Sequence, residues 1–204
     1  MTIVIIIISV VVSLIAILNQ GVSQKLRFNA YAIKNFKEWY RFFTYAFIHA
    51  DWMHLLVNMF VLYSFGMAVE NYFSIVFPEK ATFYFIILYI GGIIISVTPA
   101  YSKNKDNVYY NAVGASGAVS AVVFSSIIFF PTAGIRFLFI PFAIPSVVFG
   151  ILYLIYSAYM AKRSKDNIGH DAHFWGAIFG IAYTIILKPR LALLFFEQVR
   201  QYFA

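Results

Sequence analysis

The sequence predicts an all-α membrane protein, six transmembrane helices in a compact bundle with a short central fourth helix. Three observations predict it. Of the 204 residues, 62% are hydrophobic and 11% charged, where a soluble domain carries about 25% charged residues; the solvent for most of this chain must be lipid. The apolar residues fall into six runs near the ~20 residues that a helix needs to cross a bilayer. The fourth run is the shortest and opens on small residues, Gly114, Ala115, Ser116, Gly117 and Ala118, then Ser120 and Ala121, which let neighbouring helices approach closely.

Taken in order, the first span covers residues 1–19. Met1 to Leu18 has no charged leading segment and no small-residue cleavage site after it, so it reads as a retained span, not a secretory signal. Residues 20–52 form a long loop in which Lys25, Arg27, Lys34, Lys37 and Arg41 interleave with Phe28, Phe36, Trp39, Tyr40, Phe42 and Phe43. Basic and aromatic residues together favour the headgroup layer, which predicts a membrane-lying loop. The second span, 53–71, ends at Glu70-Asn71, and the third, 82–100, carries Gly91-Gly92 at its centre. A polar loop over 101–113 leads to the fourth span, 114–130, hydrophobic all round and so placed in the middle of the bundle. The fifth span, 137–161, has Pro141 and Pro145 near its start, which predicts a loosened end. A basic loop with Lys162, Arg163 and Lys165 precedes the sixth, 169–187, in which His173, Gly176 and Gly180 share one side. The tail from Lys188 is mildly amphipathic. No repeat, linker or second domain interrupts residues 1–204.

Composition also narrows the chemistry. The absence of cysteine excludes disulfides, thiolate metal sites and a cysteine nucleophile. The net charge of +7 is spread over loops without a basic run, which points to anionic lipid headgroups and away from nucleic acid.

Six spans alternate in direction, so the second, fourth and sixth run the same way. In each, the unusual polar residues fall in the first two turns: His54 with Asn58, Ser116, and His173. At ~1.5 Å rise per residue they share one depth beneath one face, and intramembrane polar residues of this kind are functional by default. A serine is a weak nucleophile until a base lies within hydrogen-bond reach; His173 fits that role if the fourth and sixth helices touch. His54 and Asn58, one turn apart, project together and can both donate to an oxyanion. The backbone amide of Ser116, at a helix N-terminus, is a third donor. Asp171 is two residues from His173 and so points to the far side of its helix, while Asp51 precedes its span. The expected arrangement is therefore a Ser/His dyad for acyl transfer at an amide.

These residues resemble the rhomboid intramembrane serine proteases in their minimal six-span prokaryotic form. The matching stretches are Gly114-Ala115-Ser116-Gly117, Ala172-His173-Phe174-Trp175-Gly176 with Gly180, and the second-span sequence from His49-Ala50-Asp51-Trp52-Met53-His54 to Asn58. Trp39 and Arg41 resemble the family's membrane-loop element, although Tyr40 separates them. The resemblance implies Ser116 as nucleophile, His173 as general base, and His54, Asn58 and the amide of Ser116 at the oxyanion, with Gly114 in the same substrate-binding turn. It implies single-span membrane proteins as substrates, cut near the end of their transmembrane helix, with entry near the second and fifth spans. It implies no metal or cofactor, and a bacterial inner membrane as the location. Many bacterial members carry an aromatic residue one turn after the nucleophile, stacked on the base. Here that position is Ser120, so either another group orients His173 or turnover is slow. The N-terminus-inside topology of the family leaves ten Lys/Arg on the outer loops, among them Arg41 and Lys165, against five inside; the positive-inside rule read alone gives the opposite orientation.

Rival readings come from other classes. A catalytically inactive relative that binds membrane proteins usually lacks the serine or the histidine, and both are present. A metal-dependent enzyme would use His49, His54, His170 and His173, of which His170 and His173 are one turn apart, but His-Glu-x-x-His is missing. A transporter would show a repeated half. Oligomeric state leaves no mark in the sequence.

Overall fold

A computed structural model describes residues 1–136, 141–163 and 169–204. Helix accounts for 77% of them. The helices are α1 (Thr2–Leu18), α2 (Gln20–Leu26), α3 (Ala30–Phe36), α4 (Arg41–Thr44), α5 (Trp52–Val76), α6 (Ala81–Asn104), α7 (Ser116–Phe129), α8 (Ser146–Arg163), α9 (His170–Leu187) and α10 (Arg190–Phe203). A 3₁₀ turn covers Tyr45–Phe47. Gly134 and Ile135 (β1) pair antiparallel with Pro145 and Ile144 (β2).

Among the described residues, α5 and α6 are each long and apolar enough to cross a membrane. Helices α9 and α10 pass that test only as a pair bent by 112°, and α1 and α7 are shorter apolar helices. This is an all-α membrane protein. The bend follows Pro189, whose ring cannot continue the α9 ladder. Helix α10 returns onto the bundle through Leu191, which is buried, with Leu194 and Phe195 packed beside it.

The contacts fix helix directions. Helices α5 and α7 run parallel, since His54 lies by Gly114 and Phe73 by Phe129. Helices α7 and α9 are parallel too, with Gly117 on Gly176 and Ala121 on Gly180. Helix α1 opposes α5, its Ser13 meeting His49 while its Thr2 meets Gly66. Helix α6 opposes α7 through Ser96 on Gly117 and Gly92 on Ala121. Helix α8 opposes α7 through Tyr153 on Ser120 and Gly150 on Ile127. The second, fourth and sixth expected spans therefore do begin at one face.

Thirteen of the fourteen residues of α7 are buried. At ~1.5 Å per residue it is about 21 Å long, short of a ~30 Å hydrocarbon core, and the expected short central helix is what the fold contains. Burial here comes from close packing of small side chains, because lipid is as apolar as the helix it would replace. Helix α1 makes the same point from outside. It buries Thr2, Ser9, Ser13 and Ala16 and leaves Ile3, Val4, Ile7, Ile8, Val11 and Ile15 exposed, the reverse of a water-soluble amphipathic helix.

Two expectations are corrected. The fifth helix begins at Ser146, not at 137; residues 137–140 of that expected span, like Lys165 of the next loop, lie outside the described residues. Pro141 and Pro145 stand before the helix, not in its first turns. The residue preceding a proline is steered to extended backbone, and Ile144 accordingly pairs as strand with Ile135. The loop over 20–52 is folded onto the protein more than a headgroup anchor requires. Phe28 is fully buried and exchanges two backbone bonds with Ala112, at 2.9 and 3.0 Å. Arg41 faces inward: its Nη1 donates to the carbonyls of Gln24 and Arg27, each at 2.8 Å, and its Nε to Glu38 at 2.5 Å. Phe36, Trp39, Tyr40 and Phe43 remain exposed, as an interfacial loop requires.

Candidate active site

The site begins with the contact between α7 and α9. A Cβ on Gly176 would stand 2.0 Å from the carbonyl oxygen of Gly117, and one on Gly180 would stand 2.1 Å from that of Ala121. Both obstacles are backbone, so the two helices touch main chain to main chain and only glycine fits. A Cβ on Gly117 would lie 3.4 Å from the carbonyl oxygen of Ala172. The residue after Ser116 therefore lies against the residue before His173. Ser116 is the first residue of α7, His173 lies in the first turn of α9, and both are half-buried, while every later residue of α7 is buried.

The turn before α7 is set by Gly114. Its φ of 114° lies in the region that side chains avoid, and its amide donates to the carbonyl of Tyr45 at 2.9 Å. The bare face of Gly114 receives His54, with Cε1 and Nε2 at 2.6 and 2.8 Å from where a Cβ would stand. His54 is placed by Asp51, which caps α5 by accepting from the His54 amide at 2.8 Å. The amide of Ala50 donates to Nδ1 of His54 at 3.5 Å, which leaves the ring proton on Nε2, on the Cε1–Nε2 edge that faces Gly114. Asn58 is buried and donates one amide hydrogen to the carbonyl of His54 at 2.8 Å; its NH₂ has a second.

His49 stands behind this turn. The amide of Ala115 donates to its Nε2 at 3.4 Å, so Nδ1 carries the proton and donates to Oγ of Ser13 at 2.9 Å; that hydroxyl in turn donates to the carbonyl of Phe47 at 3.0 Å. The relay requires a neutral imidazole. Burial, helped by the neighbouring His54 and opposed by Asp51, pushes the His49 pKa down to about 3. His49 thus supports, from the loop, the turn that leads into Ser116.

Around His173 the structure supplies a group that sequence reasoning missed. The ring of Tyr153, from α8, stacks on His173 with centroids 6.2 Å apart and planes 28° apart, and its hydroxyl lies 2.7 Å from Oγ of Ser120. Tyr153 is one of 15 tyrosines, and only contact across two helices distinguishes it. Asp171 is engaged by Lys103 at 2.6 Å, away from His173. The four histidines form two edge-to-face pairs, His49 with His54 at 5.0 Å and His170 with His173 at 5.9 Å. Among the described residues no group of three or more His, Asp or Glu is placed to hold a metal ion.

The chain is 30% identical over 175 residues to Rhomboid-like protein 11, chloroplastic, of Arabidopsis thaliana, covering 78% of this chain and 56% of that protein. It is 29% identical over 160 residues to RHOMBOID-like protein 12, mitochondrial, of the same plant, covering 72% and 46%. It is 28% identical over 148 residues to the human Presenilin-associated rhomboid-like protein, mitochondrial, covering 68% and 35%. The chain thus spans about half the length of these relatives or less. The profile of the Rhomboid domain matches residues 37–190, which includes α5 to α9 and every residue of the site, and the chain belongs to the rhomboid family.

Proposed function

We propose that this chain is an intramembrane serine endopeptidase that cuts single-span membrane proteins near the end of their transmembrane helix, and that α1, α5, α6, α7, α8 and α9 are its six spans. The observation that carries the reading is the main-chain contact of Gly117 with Gly176, which holds the start of α7 against the first turn of α9. In the mechanism His173 removes the proton of Ser116 Oγ as that oxygen attacks the scissile carbonyl. The charge developing on the carbonyl oxygen is met by N–H donors of His54, Asn58 and the Ser116 amide. His173 then returns its proton to the leaving amine, and a water activated by the same base releases the acyl group.

The proposed orientation is the family's, with the loop side outer; the buried Arg41 serves the loop's own carbonyls, so it is a folding element and drops out of the positive-inside count. The proposed compartment is a bacterial cell membrane, whereas the relatives named above are chloroplastic and mitochondrial.

A fluorophosphonate probe on purified protein tests the reading. Wild type is expected to be labelled and to cleave a single-span substrate in liposomes, with both activities lost in Ser116→Ala. Binding of the substrate without labelling or cleavage would instead identify a rhomboid-like protein that holds membrane proteins without cutting them.

A further inference from the structure

We propose that Tyr153 is a positioning residue of the base, so that the working orientation of His173 depends on α8 being docked on α7. The inference rests on the serine-protease reading of the site. An imidazole on a half-open helix face turns about its own bonds unless something holds the ring. The carboxylate nearest in sequence, Asp171, is tied to Lys103. The Tyr153 ring lies over the His173 ring, its plane tilted by 28°, while His170 meets the same ring edge-on. Offset stacking of this kind is attractive and restricts the ring plane.

Tyr153 is itself held from three sides. Ser120 holds its hydroxyl at 2.7 Å, Phe124 contacts its ring at 5.6 Å between centroids, and Phe149 contacts it at 5.7 Å. Ser120 and Phe124 belong to α7, whereas Tyr153 and Phe149 belong to α8. A small residue at 120 leaves room for the incoming ring and meets its phenol. The support for the base thus comes from a different helix than the base or the nucleophile. Displacing α8 toward lipid would remove it without moving Ser116 or His173 along their own helices.

The test compares Tyr153→Leu, Tyr153→Met, Tyr153→Phe and Ser120→Ala with wild type, by steady-state cleavage of a single-span substrate in liposomes and by the rate of fluorophosphonate labelling. Loss of the ring in the Leu and Met variants is expected to lower kcat and the labelling rate roughly ten- to a hundredfold, the scale of a misplaced reacting group, with KM within about twofold. Tyr153→Phe and Ser120→Ala keep the ring and are expected to stay within about threefold of wild type. Melting of each variant in detergent reports folding; with two non-aromatic replacements and two ring-keeping ones, a single misfolded variant leaves the comparison intact. Wild-type kcat in a folded Leu or Met variant overturns the proposal, as does a change confined to KM, which would make Tyr153 part of substrate entry. A wild type that is neither labelled nor active defeats the protease reading itself, an outcome distinct from an active wild type indifferent to residue 153.

Discussion

The two helices that flank α7 on the site side are attached to it in opposite ways. Helix α9 meets it through bare backbone, at Gly176 on Gly117 and Gly180 on Ala121. Helix α8 meets it through the ends of side chains, Tyr153 with Ser120 and Phe124. It is also preceded by the β1–β2 ribbon and not by a continuous helical start. The difference teaches which distances this fold holds fixed. Main-chain contact cannot relax when a neighbour shifts, so the α7–α9 pair fixes the spacing of Ser116 and His173. Side-chain contact can part and re-form, so the α8 side is where the molecule can change shape and still return.

The largest expected effect breaks the fixed side. Gly176→Ala forces a Cβ to within 2.0 Å of the Gly117 carbonyl oxygen. No rotamer can move a backbone atom away, so the helices must separate. The expected cost is at the top of the 1–3 kcal/mol range for overpacking, about 3 kcal/mol, read as a lower melting temperature in detergent together with loss of probe labelling. Unchanged melting would mean that the α7–α9 contact is not the rigid element described above.

The second effect tests the loop that braces the same side. His49 holds the Ala115 amide only as a neutral ring. Its folded pKa of about 3 lies below the ordinary 6.5, so the unfolded chain takes up the proton first. Stability is then full above about pH 6.5 and falls as pH drops toward 3, by up to ~1.4 kcal/mol per pH unit across that window. Melting series at pH 7.5, 5.5 and 4.5 are expected to show a shallower acid slope for His49→Gln than for wild type. Parallel slopes would remove His49 from this role.

How much of this could be read from the residues depends on the kind of contact involved. Helix directions follow from parity, and the shared depth of His54, Ser116 and His173 follows with them. Gly176 and Gly180 were legible as a packing face because close approach demands small residues at helical spacing. Tyr153 was not legible: a stacking partner from another helix has no fixed sequence offset from the residue it covers, and a chain that is 20% aromatic offers many candidates. Arg41 was misread as an interfacial cation because its partners, the carbonyls of Gln24 and Arg27, are backbone atoms. Backbone acceptors leave no trace in sequence. The start of α8 was misplaced because apolar residues continue through the β1–β2 ribbon, and hydrophobicity alone does not separate strand from helix over so few residues.

The smallest expected effect sharpens the comparison from the compliant side. A Cβ on Gly150 of α8 would meet Ile127 Cδ1 at 3.1 Å and Phe124 Cε1 at 3.3 Å, both far ends of side chains. Adding it gains up to ~1 kcal/mol of helix propensity and costs a few tenths of an ångström of rearrangement. Gly150→Ala is therefore expected to melt within about 1 kcal/mol of wild type, against the loss of about 3 kcal/mol for the same substitution at Gly176. Activity is the finer measure, because Phe124 also buttresses Tyr153. If α8 yields by moving slightly outward, kcat falls about two- to threefold at unchanged stability. A fall in stability as large as that at Gly176 would show that both sides of α7 are equally rigid, and would leave α8 no freedom to move.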